Sequence, residues 1–171
     1  IGLVDCAPRS GGIDIPSSWF GRSSSRICPT PSSRFAVNQI STVLRGTPGA
    51  RLIDGLELGP GDVELVKKRY SAFFGTELDE LVARFSDPLV VAGINTHACV
   101  RMTVIHVYQR DLEVVVVGDD VASHDDEHDR ITRRYLDGKI ALFMDSDAIV
   151  AALDSEGSLA EMIAARWSEV S

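Results

Sequence analysis

The sequence predicts an α/β domain built around a parallel sheet, and two observations support this prediction. Two apolar runs, Leu89–Ile94 and Glu113–Gly118, are rich in valine and lack polar alternation, as expected for strands buried on both faces of a parallel sheet. Each run is followed by a segment whose apolar residues recur at helical spacing. Alternation of strands with helices is typical of α/β folds with parallel sheets.

The amino-terminal part shows fewer regular patterns. Residues 1–4 are apolar and predict a short buried strand that ends at Asp5. Residues 7–34 are rich in Ser, Pro, Gly and Arg and follow no period. They predict a long irregular segment that is either a lid or subunit contact, or a surface excursion or poorly ordered stretch. Short helices are predicted over residues 33–44 and 50–56.

The remaining elements follow in order. Residues 63–66 predict a strand that ends at Lys67, and Thr76 predicts the start of a helix. The helix that follows Leu89–Ile94 starts after Thr96 and extends to about Arg110. Beyond Glu113–Gly118, four further elements are expected: a helix capped by Ser123 or Asp125 that ends near Tyr135, a strand over 141–144, a helical turn from Ser146 or Asp147, and an amphipathic helix over 159–170.

Size and composition limit the classes of function. The 171 residues suffice for one domain with a full core, so we treat 1–171 as a single domain whose residues 1–45 are atypical or truncated at the amino terminus. The net charge of −8 argues against a nucleic-acid partner. No apolar run approaches the ~20 residues that span a membrane, and no signal peptide is visible. Three widely spaced cysteines favour a reduced, cytoplasmic protein without a zinc site.

Cys99 is the strongest candidate for a reactive group. It follows an apolar strand and Gly-Ile-Asn-Thr, just where a helical pattern starts. A thiolate is favoured at such a place because unpaired N–H groups and the helix dipole stabilise negative charge. The carboxyl edge of an open α/β sheet is also where such folds bind ligands. A cysteine among apolar residues is nevertheless more often a packing residue.

Lys67 would lie at the same edge of the sheet as Cys99, at the end of its own predicted strand. A lysine there can stabilise a thiolate by its charge. Tyr70, Phe73 and Phe74 follow closely and could form the wall of a pocket. Taken singly, such residues are more often a solvated charge and ordinary packing.

Together, these residues form two motifs that resemble those of the isochorismatase-like cysteine hydrolases. The motifs are Lys67-x-Arg69-Tyr70-Ser71-Ala72-Phe73-x-x-Thr76-x-Leu78 and Val91-x-Gly93-Ile94-x-Thr96-x-x-Cys99-Val100. A third stretch, Asp119-x-Val121-Ala122-Ser123 followed by His128, is similar to the region after the next strand of that family. The resemblance covers residues 46–153.

The resemblance implies a three-layer α/β/α fold with a mostly parallel six-stranded sheet and a Cys-Asp-Lys triad. It implies hydrolysis of a C–N bond in a small amide, ureido or carbamoyl compound through a thioester, without a cofactor. Cys99 would be the nucleophile and Lys67 the charge-holding residue. A cis peptide is expected before Asn95, and the N–H groups of Asn95 and Cys99 would form the oxyanion hole. The substrate-binding candidates are Arg69, Tyr70, Phe73, Phe74 and His97, and a homo-oligomer, a dimer or tetramer, is expected.

The third member of the triad stays open. The family's aspartate ends the first strand, usually in an Asp-x-Gln context, and the one early candidate here is Asp5, which lacks the Gln. Either Asp5 is the general base on a diverged first unit, or residues 1–4 match the family's second strand and the aspartate is missing. The Asp-x-His metal site of nicotinamidases is not found after Asp5, which argues against a bound metal.

Two other functions remain as alternatives. An isochorismate-type vinyl ether hydrolase would not need a thiol, so the presence of Cys99 favours amide or ureide hydrolysis. A non-catalytic family member acting as a binding or assembly protein is favoured by the unusual first 45 residues. His124 and His128 lie among acidic residues, where a solvated helix start is a simpler interpretation than a metal site.

Overall fold

A computed structural model describes residues 3–4, 59, 61–84, 88–154 and 159–170. In chain order the elements are β1 (Leu3–Val4), α1 (Leu78–Val82), β2 (Leu89–Ile94), a π-helical turn (Thr96–Val100) that continues into α2 (Arg101–Tyr108), β3 (Val114–Ala122), α3 (Asp126–Leu136), β4 (Leu142–Met144), α4 (Ser146–Asp154) and α5 (Leu159–Val170). Among these described helices, none is long and apolar enough to cross a membrane.

The strands form one sheet in the order β1-β2-β3-β4. β2 pairs in parallel with β3, and β3 pairs in parallel with β4. The predicted α/β class with a parallel sheet is therefore confirmed. The six-strand count stays a prediction, because four strands lie within the described ranges.

The short first strand runs in the opposite direction. β1 pairs with β2 antiparallel, with Val4 opposite Val90. The carboxyl end of β1 therefore lies beside the amino-terminal half of β2, away from the edge that carries Cys99. Asp5, the irregular segment 7–34 and the helices predicted over 33–44 and 50–56 lie outside the described residues.

Two hydrophobic clusters cover the two faces of the sheet and give three layers. On one face, Val91 and Val116 pack with apolar residues of α2 and α3, among them Val104 and Leu136. On the other face, the central strands pack against α4 and α5; this cluster contains Val90, Val115, Val117, Leu142, Ile149 and Ile163. Alternate valines of each strand thus serve opposite faces, which explains why β2 and β3 show no polar alternation.

The strand predicted over 63–66 is absent: residues 62–67 have no regular secondary structure. Val63 and Val66 are about half exposed, at 55% and 45%. A local apolar run does not by itself make a strand, because a strand also needs a partner for its backbone groups. The terminal helix, by contrast, has the predicted bounds of 159–170.

A bulge near its carboxyl end makes β3 longer than predicted. Val91 pairs with Val116, but Gly93 already pairs with Val121, so β3 carries extra residues that β2 does not match. We call residues 117–120 the β3 bulge. It brings the end of β3, and Ser123 after it, to the start of the π-helical turn.

Candidate active site

Cys99 lies in the π-helical turn that follows β2. The peptide bond between Ile94 and Asn95 is cis, as the resemblance implies. The Asn95 carbonyl accepts hydrogen bonds from the N–H groups of Ala98 and Val100, at 3.1 and 3.2 Å. Cys99 is 1% exposed. Single π-helical turns inside longer helices are frequent at functional sites, and this one places the thiol at the carboxyl edge of β2.

Lys67 meets Cys99, as the sequence predicts, although it comes from a segment without regular structure. The Cys99 side chain lies close enough to Lys67 to act on its pKa. Lys67 Nζ also donates hydrogen bonds to the carbonyl oxygens of Arg69 and Tyr70, both at 3.1 Å. Lys67 is 4% exposed, so this ammonium is held by protein groups.

Burial and the neighbouring thiol act on Lys67 in opposite directions. Burial lowers the pKa of Lys67 below its ordinary value, because desolvation disfavours the charged form. The charge of Cys99 and the hydrogen bond with it raise that pKa and partly offset the burial. The net pKa of Lys67 is lowered, so burial outweighs the thiol, and the pairing of this lysine with a thiolate stays a prediction.

The predicted pocket residues after Lys67 have different surroundings. Phe73 is 5% exposed and belongs to the core cluster, and the guanidinium of Arg110 lies 4.1 Å from its ring centre. Tyr70 and Phe74 are exposed, and the Arg69 guanidinium lies 6.0 Å from the ring centre of Phe74. Of the three predicted aromatic pocket residues, Tyr70 and Phe74 are therefore exposed and Phe73 is buried.

His97 belongs to a cluster of three imidazoles next to the π-helical turn. Its ring centre lies 5.2 Å from that of His124 and 5.5 Å from that of His128. Its Nδ1 is 2.9 Å from Ser123 Oγ, which also accepts the His97 backbone N–H at 3.3 Å. His124 Nδ1 lies 3.5 Å from Asn95 Oδ1. The two residues that follow β3 therefore contact Asn95, just before the π-helical turn, and His97 within it.

The cluster favours a neutral imidazole at its centre. Burial lowers the pKa of His97, and the positive charges of His124 and His128 lower it further. Asp125 and Asp129 act in the opposite direction. Within the described ranges, no group of three or more His, Cys, Asp or Glu side chains is arranged to hold a metal ion.

The motifs do not predict the polar contacts between α2 and the residues that follow Lys67. Ser71 Oγ lies 2.8 Å from His106 Nδ1, and Thr103 Oγ1 accepts the N–H of Ala72 at 3.1 Å. The signal was present in the spacing, because positions 99, 103 and 106 fall on one face of a helix. Asp5 lies outside the described residues, so its position relative to Cys99 stays a prediction.

Comparisons with known proteins show what this chain is similar to. The profile of the isochorismatase domain matches residues 20–148. A phenazine biosynthesis protein of Pseudomonas aeruginosa is 30% identical over 109 residues, covering 63% of this chain and 53% of the relative. A ureidoacrylate amidohydrolase of Methylorubrum extorquens is 41% identical over 76 residues, 44% of this chain and 31% of the relative. The chain thus spans about half or less of the length of these curated relatives.

Solved structures show the same fold. A putative hydrolase of the isochorismatase family from Chromobacterium violaceum is 27% identical, with a TM-score of 0.62 over 75% of this chain and 69% of that one. An N-carbamoylsarcosine amidase from Thermoplasma acidophilum is 31% identical, with a TM-score of 0.54 over 67% of this chain and 62% of that one.

Proposed function

Because this chain belongs to the isochorismatase family, we propose that it is a cysteine-dependent hydrolase that cleaves a C–N bond of a small amide, ureido or carbamoyl compound. The observation that carries the proposal is the contact between the buried Lys67 and Cys99. Lysine is rarely buried without a partner. A thiolate is the form of cysteine that attacks carbonyl carbon, and an adjacent ammonium stabilises that form.

The reaction proceeds in two steps. The Cys99 thiolate attacks the carbonyl carbon, and the carbonyl oxygen becomes an oxyanion that the N–H groups of Asn95 and Cys99 would stabilise. The C–N bond then breaks, and the amine or ammonia leaves with a proton. Water attacks the resulting thioester, releases the acid and regenerates the thiolate. Lys67 keeps its proton throughout and balances the charge that alternates between sulfur and oxyanion.

Asp5 is the proposed general base that takes the thiol proton and delivers it to the leaving nitrogen. The support for it is the pattern of a strand followed by an aspartate, and β1 does end at Val4. The antiparallel direction of β1 is a departure from the parallel first strand that would bring this aspartate to the edge with Cys99. Asp5→Asn is therefore the variant that decides between the two interpretations of the amino-terminal unit.

The ureido and carbamoyl classes are favoured by two relatives that are named for such substrates, the ureidoacrylate amidohydrolase and the N-carbamoylsarcosine amidase. We propose that substrate lies beside the π-helical turn and contacts His97 and the exposed rings of Tyr70 and Phe74. Arg69 would add a positive charge at this surface for an acidic substrate.

A second candidate is hydrolysis of a vinyl ether, as in isochorismate. It is favoured by the phenazine biosynthesis relative and by a relative from Pseudomonas chlororaphis that is named a probable isochorismatase. Protonation and hydrolysis of a vinyl ether need no thiol nucleophile, so this activity would persist without Cys99.

The test is a substrate panel assayed with matched variants. Ammonia release from amides, ureido acids and carbamoyl amino acids is measured for the wild type, Cys99→Ala, Lys67→Met and the control Cys28→Ala. Loss of a catalytic nucleophile or its charge partner costs on the order of 10³-fold or more in rate, so we expect the first two variants to lose activity and the control to keep it. Acid quenching followed by intact mass measurement should detect the acyl group on the wild type.

Two outcomes would contradict the proposal. Equal ammonia release by wild type and Cys99→Ala would remove the covalent mechanism. Pyruvate release from isochorismate that survives in Cys99→Ala, with no activity on the C–N panel, would establish the vinyl ether alternative.

A further inference from the structure

One face of the helix that carries Cys99 makes a row of polar contacts with a single segment of the chain. We call residues 67–79 the lysine segment. Thr103 and His106 of α2 lie on one helix face, and Cys99 in the π-helical turn before α2 and Arg110 just after it continue their spacing of three or four residues. Each of them contacts the lysine segment: Cys99 meets Lys67, and the other three meet residues farther along it.

The two middle contacts are buried or nearly so. Thr103 is fully buried and its Oγ1 accepts the N–H of Ala72 at 3.1 Å. His106 Nδ1 lies 2.8 Å from the Oγ of Ser71, which is 3% exposed. Ser71 Oγ also accepts the N–H of Phe73, at 3.2 Å. Ser71 and Ala72 are thereby bonded directly to α2, and Phe73 is bonded to it through Ser71.

The fixed residues lie immediately after the groups that hold the ammonium. Lys67 Nζ donates to the carbonyl oxygens of Arg69 and Tyr70, and Ser71 is the next residue. Two of the three N–H directions of the ammonium are therefore set by carbonyls whose position depends on the contacts with α2. The third N–H remains available to the neighbouring Cys99, four residues before Thr103.

We propose that Thr103 and His106 are positioning residues for the Lys67–Cys99 pair, acting through the Arg69–Ser71 backbone. This inference rests on the proposed function. A threonine inside a helix usually returns its hydrogen bond to its own helix. Thr103 accepts a backbone N–H from another segment. A shift of that segment would move the ammonium of Lys67 away from the thiol.

The experiment follows the ionisation of Cys99 by the ultraviolet absorbance of its thiolate. Each variant is titrated beside the same variant carrying Cys99→Ala, so that the difference cancels Cys6, Cys28 and the tyrosines. The positioning variants are Thr103→Val and His106→Leu. Thr103→Ser and His106→Asn keep a polar group at the contact, and Lys67→Met removes the ammonium. Thr132→Val changes another buried threonine, which lies on α3, and serves as the matched control.

We expect Thr103→Val and His106→Leu to move the appearance of the thiolate to higher pH by about half a unit or more. Lys67→Met should move it by about one to three units, the range for loss of an opposite charge nearby. Thr103→Ser and His106→Asn should restore the wild-type profile. Thr132→Val should lower the melting temperature and leave the profile unchanged.

The outcomes separate the two proposals. If Lys67→Met shifts the profile but Thr103→Val and His106→Leu do not, the positioning role is wrong and the ion pair stands. If none of the three shifts it, the ion pair fails and the positioning role fails with it. If the profiles shift as expected but no C–N substrate is hydrolysed, the positioning role holds and the proposed function is wrong.

Discussion

Asp120 is a carboxylate whose surroundings disfavour its charge. It lies in the β3 bulge, and its Oδ2 is buried without a hydrogen-bond partner. Burial raises the pKa of Asp120 to about 6, and the neighbouring charge of Asp119 adds to the rise. The folded chain therefore binds this proton more tightly than the unfolded chain, and the charged carboxylate costs stability above that pKa.

Asp120→Asn should stabilise the fold at alkaline but not at acidic pH. The pKa shift alone implies roughly 3 kcal/mol, and partial solvent screening reduces the expected gain to about 1 kcal/mol. Urea unfolding of both proteins at pH values above 7 and below 4 measures the difference. The matched control is Asp119→Asn, whose carboxylate accepts two hydrogen bonds from Ser146 and should lose stability on substitution. A gain for Asp120→Asn that is the same at both pH values would contradict the role of charge.

Gly93 is the residue at which β2 meets the bulge. Its φ is +123°, a conformation that side chains with a Cβ rarely adopt. Gly93→Ala should therefore lower the free energy of unfolding by about 1–3 kcal/mol. Gly118→Ala is the matched control, because its added Cβ would meet its nearest neighbour at an ordinary 3.6 Å. Equal stability of the two variants in a urea titration would show that the backbone at position 93 is not restrictive.

At the scale of elements, Arg133 of α3 closes the β3 bulge. Its Nη1 and Nη2 donate to the carbonyl oxygens of Gly118 and Val121, both at 2.8 Å. Its Nε donates to Asp129 Oδ2 at 2.6 Å, and its guanidinium lies 5.6 Å from the ring centre of Phe143. The planar fork of the guanidinium thus joins Gly118 of the bulge to Val121 just after it, and fixes α3 against this part of β3.

We expect Arg133→Met to cost about 2 kcal/mol, because it leaves two partly buried carbonyls and a carboxylate without their donor. Arg133→Lys should recover little of this, since a single ammonium cannot reproduce the fork. Arg134→Met, an exposed neighbour on the same helix, is the control and should change stability little. Full recovery by lysine in urea unfolding would show that charge, and not the fork, is what matters.

How much of each element the sequence predicts depends on how local its cause is. β2 and α5 have the predicted bounds, because a valine-rich run and a helical period are local signals. The strand predicted over 63–66 failed because pairing depends on distant residues. The β3 bulge was not predicted either. Arg133 of the following helix binds its backbone, and no local sequence pattern indicates that contact.

At the scale of the whole molecule, the candidate site joins three separated parts of the chain. The turn around Cys99 and the imidazole cluster come together because β2 and β3 are parallel neighbours whose carboxyl ends share an edge. Lys67 reaches Cys99 from a segment without regular secondary structure. The motifs predicted the meeting of Lys67 with Cys99. They did not predict that His124 and His128 pack against His97, because that contact depends on the length of the β3 bulge.

Carboxylates with lowered pKa and one with a raised pKa should together determine how the free energy of unfolding depends on pH. The Arg110 guanidinium holds the pKa of Asp79 below 3.8. Hydrogen bonds from Ser146 lower the pKa of Asp119, although burial acts in the opposite direction. Hydrogen bonds to Asp129, including the one from Arg133, lower the pKa of Asp129 against the same effect of burial. The stabilisation from these three groups is fully present above pH 3.8 and is lost as the pH falls through their lower folded values. Asp120 acts in reverse, because its cost grows as the pH rises from 3.8 to about 6.

The free energy of unfolding should therefore have a maximum on the acidic side of neutrality, measured by urea titration over a pH series. Asp79→Asn should reduce the fall in the free energy of unfolding at acidic pH, because it removes a carboxylate that the folded state keeps ionised. Asp120→Asn should flatten the limb between pH 4 and 6, where the wild type binds more protons folded than unfolded. The Asp79→Asn, Asp120→Asn double variant should flatten both by the sum of the single effects, because the two carboxylates share no partner among the described contacts. A fall in stability toward acid that persists undiminished in Asp79→Asn would contradict this assignment, as would a limb between pH 4 and 6 that Asp120→Asn leaves unchanged.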